Sequence, residues 1–467
     1  MMLRWVCLIL VVVFVAVSVV EYVWHVTPIQ LVTGDFGGTG DAEDVLVIRL
    51  GVAAWETREF PWQETIRRYE EEQKGKVRFD IKILPEENKN AILLSWANGM
   101  TDYDVVVAFA DEEIHPFINY NRTHPDPDRR SLLVDVKKYL TTEQVESIAR
   151  GYYHDSSRHY PDEPEDSVHY YEIPWMGEVM ALNYNRTFFR QVGITKAPQT
   201  WAEVEAACAK LKGMTYKDLP VAPLGMYWAQ RFAWFIPNCY LGMLAEARGA
   251  KGVADEKGRL IISGPEAVGV LETLKRWYQN GYITDLSFSS SALEQALRVQ
   301  RTAMYCHWQS RGLWAVADLG ADVIGIAPTP GMKNSGALIS TYGCIFPKCS
   351  PVVERAVPIC FEVFCTDKYG FQSGVSKGFI RDGKKVGGGK MPTPKAMYDE
   401  PDLPPGIAEL GSALDKGYGI PDAANLAQCN DIFVVEFQKY IRGKTKTAEE
   451  VLETVRRRFA EEVYGEE

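Results

Sequence analysis

The stretch Tyr171–Asn185, YEIPWMGEVMALNYN, is a long apolar run interrupted near its middle by Gly177 and Glu178. The run predicts an extended segment that is buried over most of its length. A carboxylate inside such a segment costs free energy when it is buried without a partner. Glu178 is therefore expected either at a bend that faces water or in contact with a ligand.

A second informative stretch is AMYCHWQ at Ala303–Gln309, where Trp308 stands between His307 and Gln309. The run LWAVADL that follows has the character of a helix. An aromatic face flanked by hydrogen-bonding groups suits sugars and similar polar ligands, because the ring covers apolar C–H groups and the polar groups bind hydroxyls. These residues predict part of a ligand site.

The length and net charge of the chain limit the classes of protein to which it can belong. A chain of 467 residues exceeds one ordinary domain, so two or more lobes are expected. The net charge of −11 argues against a surface for nucleic acid or anionic membranes. With no HExxH and no tight CxxC set, neither a metal site nor a cofactor is predicted. We expect a monomer.

The N-terminus predicts export from the cytoplasm. Residues 1–28 contain a short basic start and an apolar run, Trp5–Val20, that extends towards Val26. The small residues Ala16-Val17-Ser18 offer a cleavage site, but the apolar character continues past them. The segment is either a cleaved signal peptide or a membrane anchor formed by residues 5–26. Residues 29–44 are Gly- and Asp-rich and predict a linker.

The order of predicted elements after residue 45 is that of an α/β fold. Strands are predicted at 45–54, 77–84 and 103–110, with helices at Trp62–Glu72 and Asn88–Asn98 between them. Later helices are predicted to begin at capping boxes that start with Thr200, Ser263 and Thr447.

The cysteines are consistent either with one or two disulfides or with free thiols. Eight of the nine cysteines lie outside the N-terminal segment, a density far below that of a disulfide scaffold. Cys344 and Cys349, and likewise Cys360 and Cys365, are near enough in sequence to pair. Buried free thiols explain them equally well.

Four segments in succession resemble the extracytoplasmic solute-binding proteins of ABC importers, specifically the sugar-binding, maltose-binding-protein-like family 1. They are IPWMGEVMALNYNRTFFRQVGI, APQTWAEVEAACAKL, TAMYCHW and ADVIGIAPTPG, at 173–194, 197–211, 302–308 and 321–331. The resemblance implies a two-lobed clamshell of the type II periplasmic-binding-protein class, with hinge strands that cross between lobes near 172–176 and 323–328. It implies that lobe 1 comprises 45–173 and 328–378, and lobe 2 comprises 174–327 and 379–467.

The resemblance also implies a ligand site in the cleft between the lobes. Asp111 matches a sugar-binding acid that follows a buried strand, and Glu178 matches an acid just after the crossing strand. Trp308 competes with Trp314 for the role of a Trp that stacks on sugar, because the spacing here departs from the family's pattern. The predicted ligand-binding residues are Trp55, Glu56, Asp111, Trp175, Glu178, Trp228, His307, Trp308, Gln309 and Tyr342.

The function implied is carbohydrate binding outside the bacterial cytoplasm and delivery to ABC permease subunits. A membrane-tethered ligand sensor is an alternative. A glycosidase with Asp111 and Glu178 as its acid/base pair is another, although no local feature supports an enzyme. A different solute within the same fold, such as a polyamine, is a further alternative because Glu56, Asp111 and Glu178 supply acids.

The apolar run past Ala16-Val17-Ser18 leads to a first prediction. Fractionation of cells that express the full chain should place the protein in the membrane, with Trp5 still present by mass spectrometry. Recovery of a soluble form that begins at Val19 would instead establish a cleaved signal peptide.

Overall fold

The strand Ile173–Asn185 organises the molecule, and all thirteen of its residues are buried. The computed structural model describes residues 45–466, except 85–88, 108–110, 155, 161, 165–166, 227–239, 241, 249–254, 256–258, 284–289, 332–337, 412–413, 417–418, 420–425 and 445–446. The predicted N-terminal segment and linker therefore lie outside the described residues. No helix in the described part of the chain combines the length and apolarity needed to cross a membrane.

The strands are numbered in chain order. They are β1 Leu46–Ala53, β2 Val77–Leu84, β3 Val105–Val106, β4 Ser157–Arg158, β5 His169–Tyr170, β6 Ile173–Asn185, β7 Thr215–Tyr216, β8 Leu219–Pro220, β9 Ala222–Gly225, β10 Thr302–Trp308, β11 Ile324–Pro328, β12 Ile339–Cys344, β13 Phe379–Arg381 and β14 Lys384–Val386.

The helices are numbered in the same way. They are α1 Ala54–Glu59, α2 Trp62–Glu72, α3 Lys89–Ala97, α4 Asp111–Ile118, α5 Thr142–Ser147, α6 Arg186–Gln191, α7 Trp201–Leu211, α8 Gly242–Arg248, α9 Pro265–Gln279, α10 Ser290–Arg298, α11 Gln309–Leu319, α12 Val353–Phe364, α13 Phe371–Lys377, α14 Ile407–Gly411, α15 Leu426–Ile441 and α16 Ala448–Arg458.

Two sheets carry the fold. The first is parallel, in the order β2-β1-β3, and the second has the order β11-β6-β10-β9 with β12 also paired to β6. The N-terminal half of β6 pairs antiparallel with β12, and its C-terminal half pairs antiparallel with β10 and β11. The two halves of β6 therefore pair with different sets of strands.

Two large hydrophobic cores correspond to the two halves of β6. The first core contains the side chains of β1, α2, α12 and the first half of β6, and the second contains those of α7, α9, α15, α16 and much of the second half. The molecule is a two-lobed α/β protein, as predicted. The predicted lobe boundaries remain a prediction; in the packing, Met391, Ile407, Leu410 and Leu414 lie in the first core.

Helix caps show where local sequence decides the structure. Thr200 caps α7 and Thr447 caps α16 through the predicted capping boxes, with Oγ1 accepting from the N–H groups of Glu203 and Glu450. The predicted capping box at Ser263 is wrong. Pro265 occupies the first helical position, which its fixed φ suits, so the cap falls on Gly264 rather than Ser263.

The segment between α4 and β6 contains a histidine bonded to two carboxylates. His169 Nδ1 lies 2.9 Å from Asp135 Oδ2, and Nε2 lies 2.6 Å from Glu163 Oε2. Only the imidazolium can donate to both acids at once. The hydrogen bond to Asp135, followed by that to Glu163, raises the pKa of His169 above its usual 6.5 despite partial burial. Arg130 lies next to Glu163 and is paired with Asp162.

His169 leads to a pH-dependent stability prediction. Because its folded pKa is raised, its contribution is fully present below the unfolded pKa and is lost as the pH rises through the folded pKa. A partly exposed ion pair contributes roughly 1 kcal/mol at most, or about 1 °C for a chain of this size. His169→Gln should therefore lower the melting temperature at pH 5.5 and leave it nearly unchanged at pH 9. An equal loss at both pH values would mean that packing rather than charge is lost.

Candidate functional site

The middle of β6 is closely packed on both sides. A side chain on Gly177 would bring its Cβ to 2.1 Å from Tyr152 Cε1, so this position requires glycine. The Gly177 N–H donates to the Met391 carbonyl at 3.0 Å, and the Met391 N–H donates back to Gly177 at 2.8 Å. The interruption in the apolar run is therefore not a bend that faces water but the point where a distant loop pairs with β6.

Glu178 is buried and paired with a lysine from the same loop. Its Oε1 accepts from Lys390 Nζ, and only 7% of the Glu178 side chain and 10% of the Lys390 side chain are exposed. Glu178 Oε2 is also buried and has no hydrogen-bond partner among the described residues. A buried charge pair with one unused acceptor can accept a hydrogen bond from a ligand hydroxyl.

The loop that carries Lys390 has an unusual backbone. Gly387, Gly388 and Gly389 all have positive φ, at 65°, 87° and 82°. A Cβ on Gly387 would lie 2.0 Å from the Glu59 carbonyl oxygen, and one on Gly388 would lie 2.7 Å from the Gly378 nitrogen. Only glycine combines this conformation with such close approaches. The glycine run therefore places the lysine next to Glu178.

Gln309 holds this loop against β6. It is the first residue of α11 and is wholly buried. Its Oε1 accepts from the Val179 N–H at 2.6 Å, and its Nε2 donates to the Gly389 carbonyl at 3.1 Å. One amide side chain thus joins the strand, the helix and the glycine loop, so in this conformation Gln309 is a structural contact of the site.

His307 is buried and neutral. Its Nδ1 accepts from the Trp308 N–H at 2.8 Å, which places the ring proton on Nε2. Burial, with smaller contributions from the charges of Arg311 and Lys390, lowers the pKa of His307 to about 3. His307 therefore contributes polarity without charge near neutral pH.

Trp308 and Trp314 differ sharply in exposure. Trp308 is 5% exposed and packs in the second core, whereas Trp314 is 40% exposed and lies against the Arg311 guanidinium, whose Cζ is 4.2 Å from the ring centroid. The proposed stacking of Trp308 on a ligand remains a prediction, since its ring is largely covered in this conformation.

Trp55, Tyr342 and Trp175 form a continuous aromatic group next to β6. The Trp55 and Tyr342 ring centroids lie 5.8 Å apart, and those of Trp175 and Tyr342 lie 6.1 Å apart, both edge to face. Trp55 and Tyr342 are partly exposed, whereas Trp175 is wholly buried and packs against Phe60. In this conformation Trp175 supports the other two rings.

Glu56 is buried in the first turn of α1 and bonds to the N-cap residue, Ala53. Its Oε2 accepts from the Ala53 N–H at 2.9 Å, and its Oε1 has no partner among the described residues. Burial raises the pKa of Glu56 well above its usual range, which favours the neutral acid.

Asp111 is the first residue of α4 and follows residues 108–110, which lie outside the described residues; its side chain is not described either. Trp228 lies outside the described residues.

Seven of the ten predicted residues fall into two groups along β6. Glu178, His307, Trp308 and Gln309 lie near Val179–Ala181, because β10 pairs there. Trp55, Trp175 and Tyr342 lie near Met176, which is opposite Tyr342 on β12.

Sequence reasoning missed Lys390 as a site residue. The run GGGK at 387–390 is the one feature of the local sequence that could have pointed to it. Within the described part of the chain, no cluster of three or more His, Cys, Asp or Glu side chains is arranged to hold a metal ion.

The fold is a two-lobed α/β architecture in which one central strand, β6, contributes to both cores. Residues 126–352 match the family described as bacterial extracellular solute-binding protein. The chain resembles the sugar-binding solute-binding proteins of ABC importers, as the sequence predicted. Comparison with curated protein sequences finds no match.

Solved structures share the fold over nearly their whole length. The maltose-bound MalE3 of T. maritima is 16% identical, with a TM-score of 0.62 over 88% of this chain and 98% of that one. The sugar-binding protein MalE of Xanthomonas citri is 14% identical, with a TM-score of 0.67 over 89% and 96%. The ABC substrate-binding protein Lmo0181 of Listeria monocytogenes, in complex with cycloalternan, is 15% identical, with a TM-score of 0.60 over 91% and 100%.

The two tryptophans give a direct test of packing. Trp308→Ala should reduce the free energy of unfolding by about 3–5 kcal/mol, because it opens a cavity in the second core. Trp314→Ala is the matched control and should cost about 1 kcal/mol or less, the value of an exposed cation–π contact. Urea denaturation of both variants measures these values. Equal small losses would show that Trp308 is not a core residue in solution.

Proposed function

We propose that this protein binds a carbohydrate, an oligosaccharide, in the cleft between its two lobes. It acts outside the cytoplasm as a monomer and delivers the ligand to the permease of an ABC importer. It is a binding protein rather than an enzyme.

One observation carries the proposal: polar groups without net charge and aromatic rings gather along the strand that both lobes share. Glu178 offers an unused acceptor, His307 a neutral ring, and Trp55 and Tyr342 partly exposed aromatic faces. Sugars need both kinds of contact. The family match over 126–352 and the fold shared with sugar-bound structures support the same ligand class.

The position of the site also supports a closing mechanism. The halves of β6 pair with different strands and carry side chains of different cores. A rotation of one lobe relative to the other about this strand would bring further groups onto a bound ligand. A ligand that binds the closed form more tightly shifts the population towards it.

Calorimetric titration with glucose, maltose, maltotriose and maltotetraose tests the proposal. At least one should bind, and scattering should show a smaller radius of gyration at saturation. Glu178→Gln should weaken binding by about ten- to a hundredfold, since a hydrogen bond to a charged group contributes about 1.5–3 kcal/mol.

The control for this titration is Glu205→Gln, which removes a carboxylate of α7 that pairs with Arg276 of α9 and should leave binding unchanged. If no saccharide of a wider panel binds, the ligand is not a carbohydrate. An unchanged radius at saturation would exclude lobe closure.

A further inference from the structure

The charges around Glu178 determine what kind of ligand the site can accept. An acid in a binding site normally attracts cations, and a site with several acids and aromatic rings would suit an amine. Glu178, however, is already neutralised by Lys390, in a pair whose two side chains are each at least nine-tenths buried.

His307 and Glu56, two other buried ionisable groups near the middle of β6, add no free negative charge beside Glu178. His307 is neutral near neutral pH because of its burial, and Arg311 and Lys390 are the cations close enough to affect it. Glu56 is wholly buried and bonded to its own helix cap at Ala53. At the midpoint of β6, Glu178 is therefore a buried carboxylate that already has a cation. The other buried carboxylate beside this strand, Glu172, lies at its start, next to Gly343 of β12.

The backbone keeps Lys390 in this position. The loop before it consists of three glycines with positive φ, wedged against Glu59 and Gly378. Gln309 bonds to Gly389, and Met391 bonds to Gly177 on β6. Lys390 is therefore fixed on both sides along the chain and its ammonium group is built into the site.

We propose that Lys390 is a specificity-determining residue, which occupies the place of a ligand ammonium group and so restricts the site to uncharged hydroxyl ligands while excluding amines. The remaining acceptor, Glu178 Oε2, is then available to a neutral donor such as a sugar hydroxyl. This inference rests on the proposed function for the identity of the ligand class, but the exclusion of amines can be tested without any sugar.

The test uses n-butylammonium, which reproduces the end of a lysine side chain, its neutral counterpart 1-butanol, and spermidine as a larger amine. Lys390→Ala leaves an unpaired carboxylate beside a space of the right shape. This variant should bind n-butylammonium and spermidine at least tenfold more tightly than the wild-type protein does, and should not gain affinity for 1-butanol. Titration calorimetry and thermal shift provide the readouts.

Two control variants isolate the charge. Lys390→Arg preserves a cation and should exclude amines as the wild-type protein does. The double variant Glu178→Gln, Lys390→Ala removes both charges and should lose the gain. If Lys390→Ala does not fold, Lys390→Ser, whose short side chain also vacates the place of the ammonium group, serves for the same measurement.

The proposal is overturned if the wild-type protein binds spermidine as tightly as the Lys390→Ala variant does, or if the double variant retains the gain. A wild-type protein that binds no saccharide, together with a Lys390→Ala variant that gains amine binding, would contradict only the proposed function. Saccharide binding without any gain of amine binding in the Lys390 variants would contradict only the present inference.

Discussion

The strand β6 is the constraint on which the rest of the structure depends. All of its side chains are buried, so each of its backbone polar groups must find a partner within the protein. These partners come from β10, β11 and β12 and from the loop at Met391, segments that are far apart in sequence. The two cores both take side chains from this one strand, and the candidate site lies at its midpoint.

Much of this fold could be predicted from the sequence, because the signals for it are local. The apolar run at 173–185 predicted the buried strand, and the capping boxes at Thr200 and Thr447 predicted two helix starts. Ser263 failed as a cap because a proline two positions later determined the first helical residue. Local rules succeed where one interaction is decisive and fail where two compete.

The site was less predictable for a physical reason. Glu178 was recognised as anomalous because a buried carboxylate needs a partner, but the partner was expected to be water or a ligand rather than a lysine of the same chain. Its partner, Lys390, is separated from it by 212 residues, and no local pattern connects a lysine after three glycines with an acid in a strand. Burial likewise could not be read from flanking residues: Trp308 has polar neighbours in sequence but apolar neighbours in the second core.

The length of the glycine triplet before Lys390 determines which residue lies opposite Glu178. Because all three residues adopt left-handed backbone conformations against fixed neighbours, the loop acts as a spacer of set length. Insertion or deletion of one glycine would leave the composition almost unaltered, yet would put a different residue opposite Glu178. The electrostatic character of the site is thus encoded in the number of loop residues as much as in the identity of the lysine.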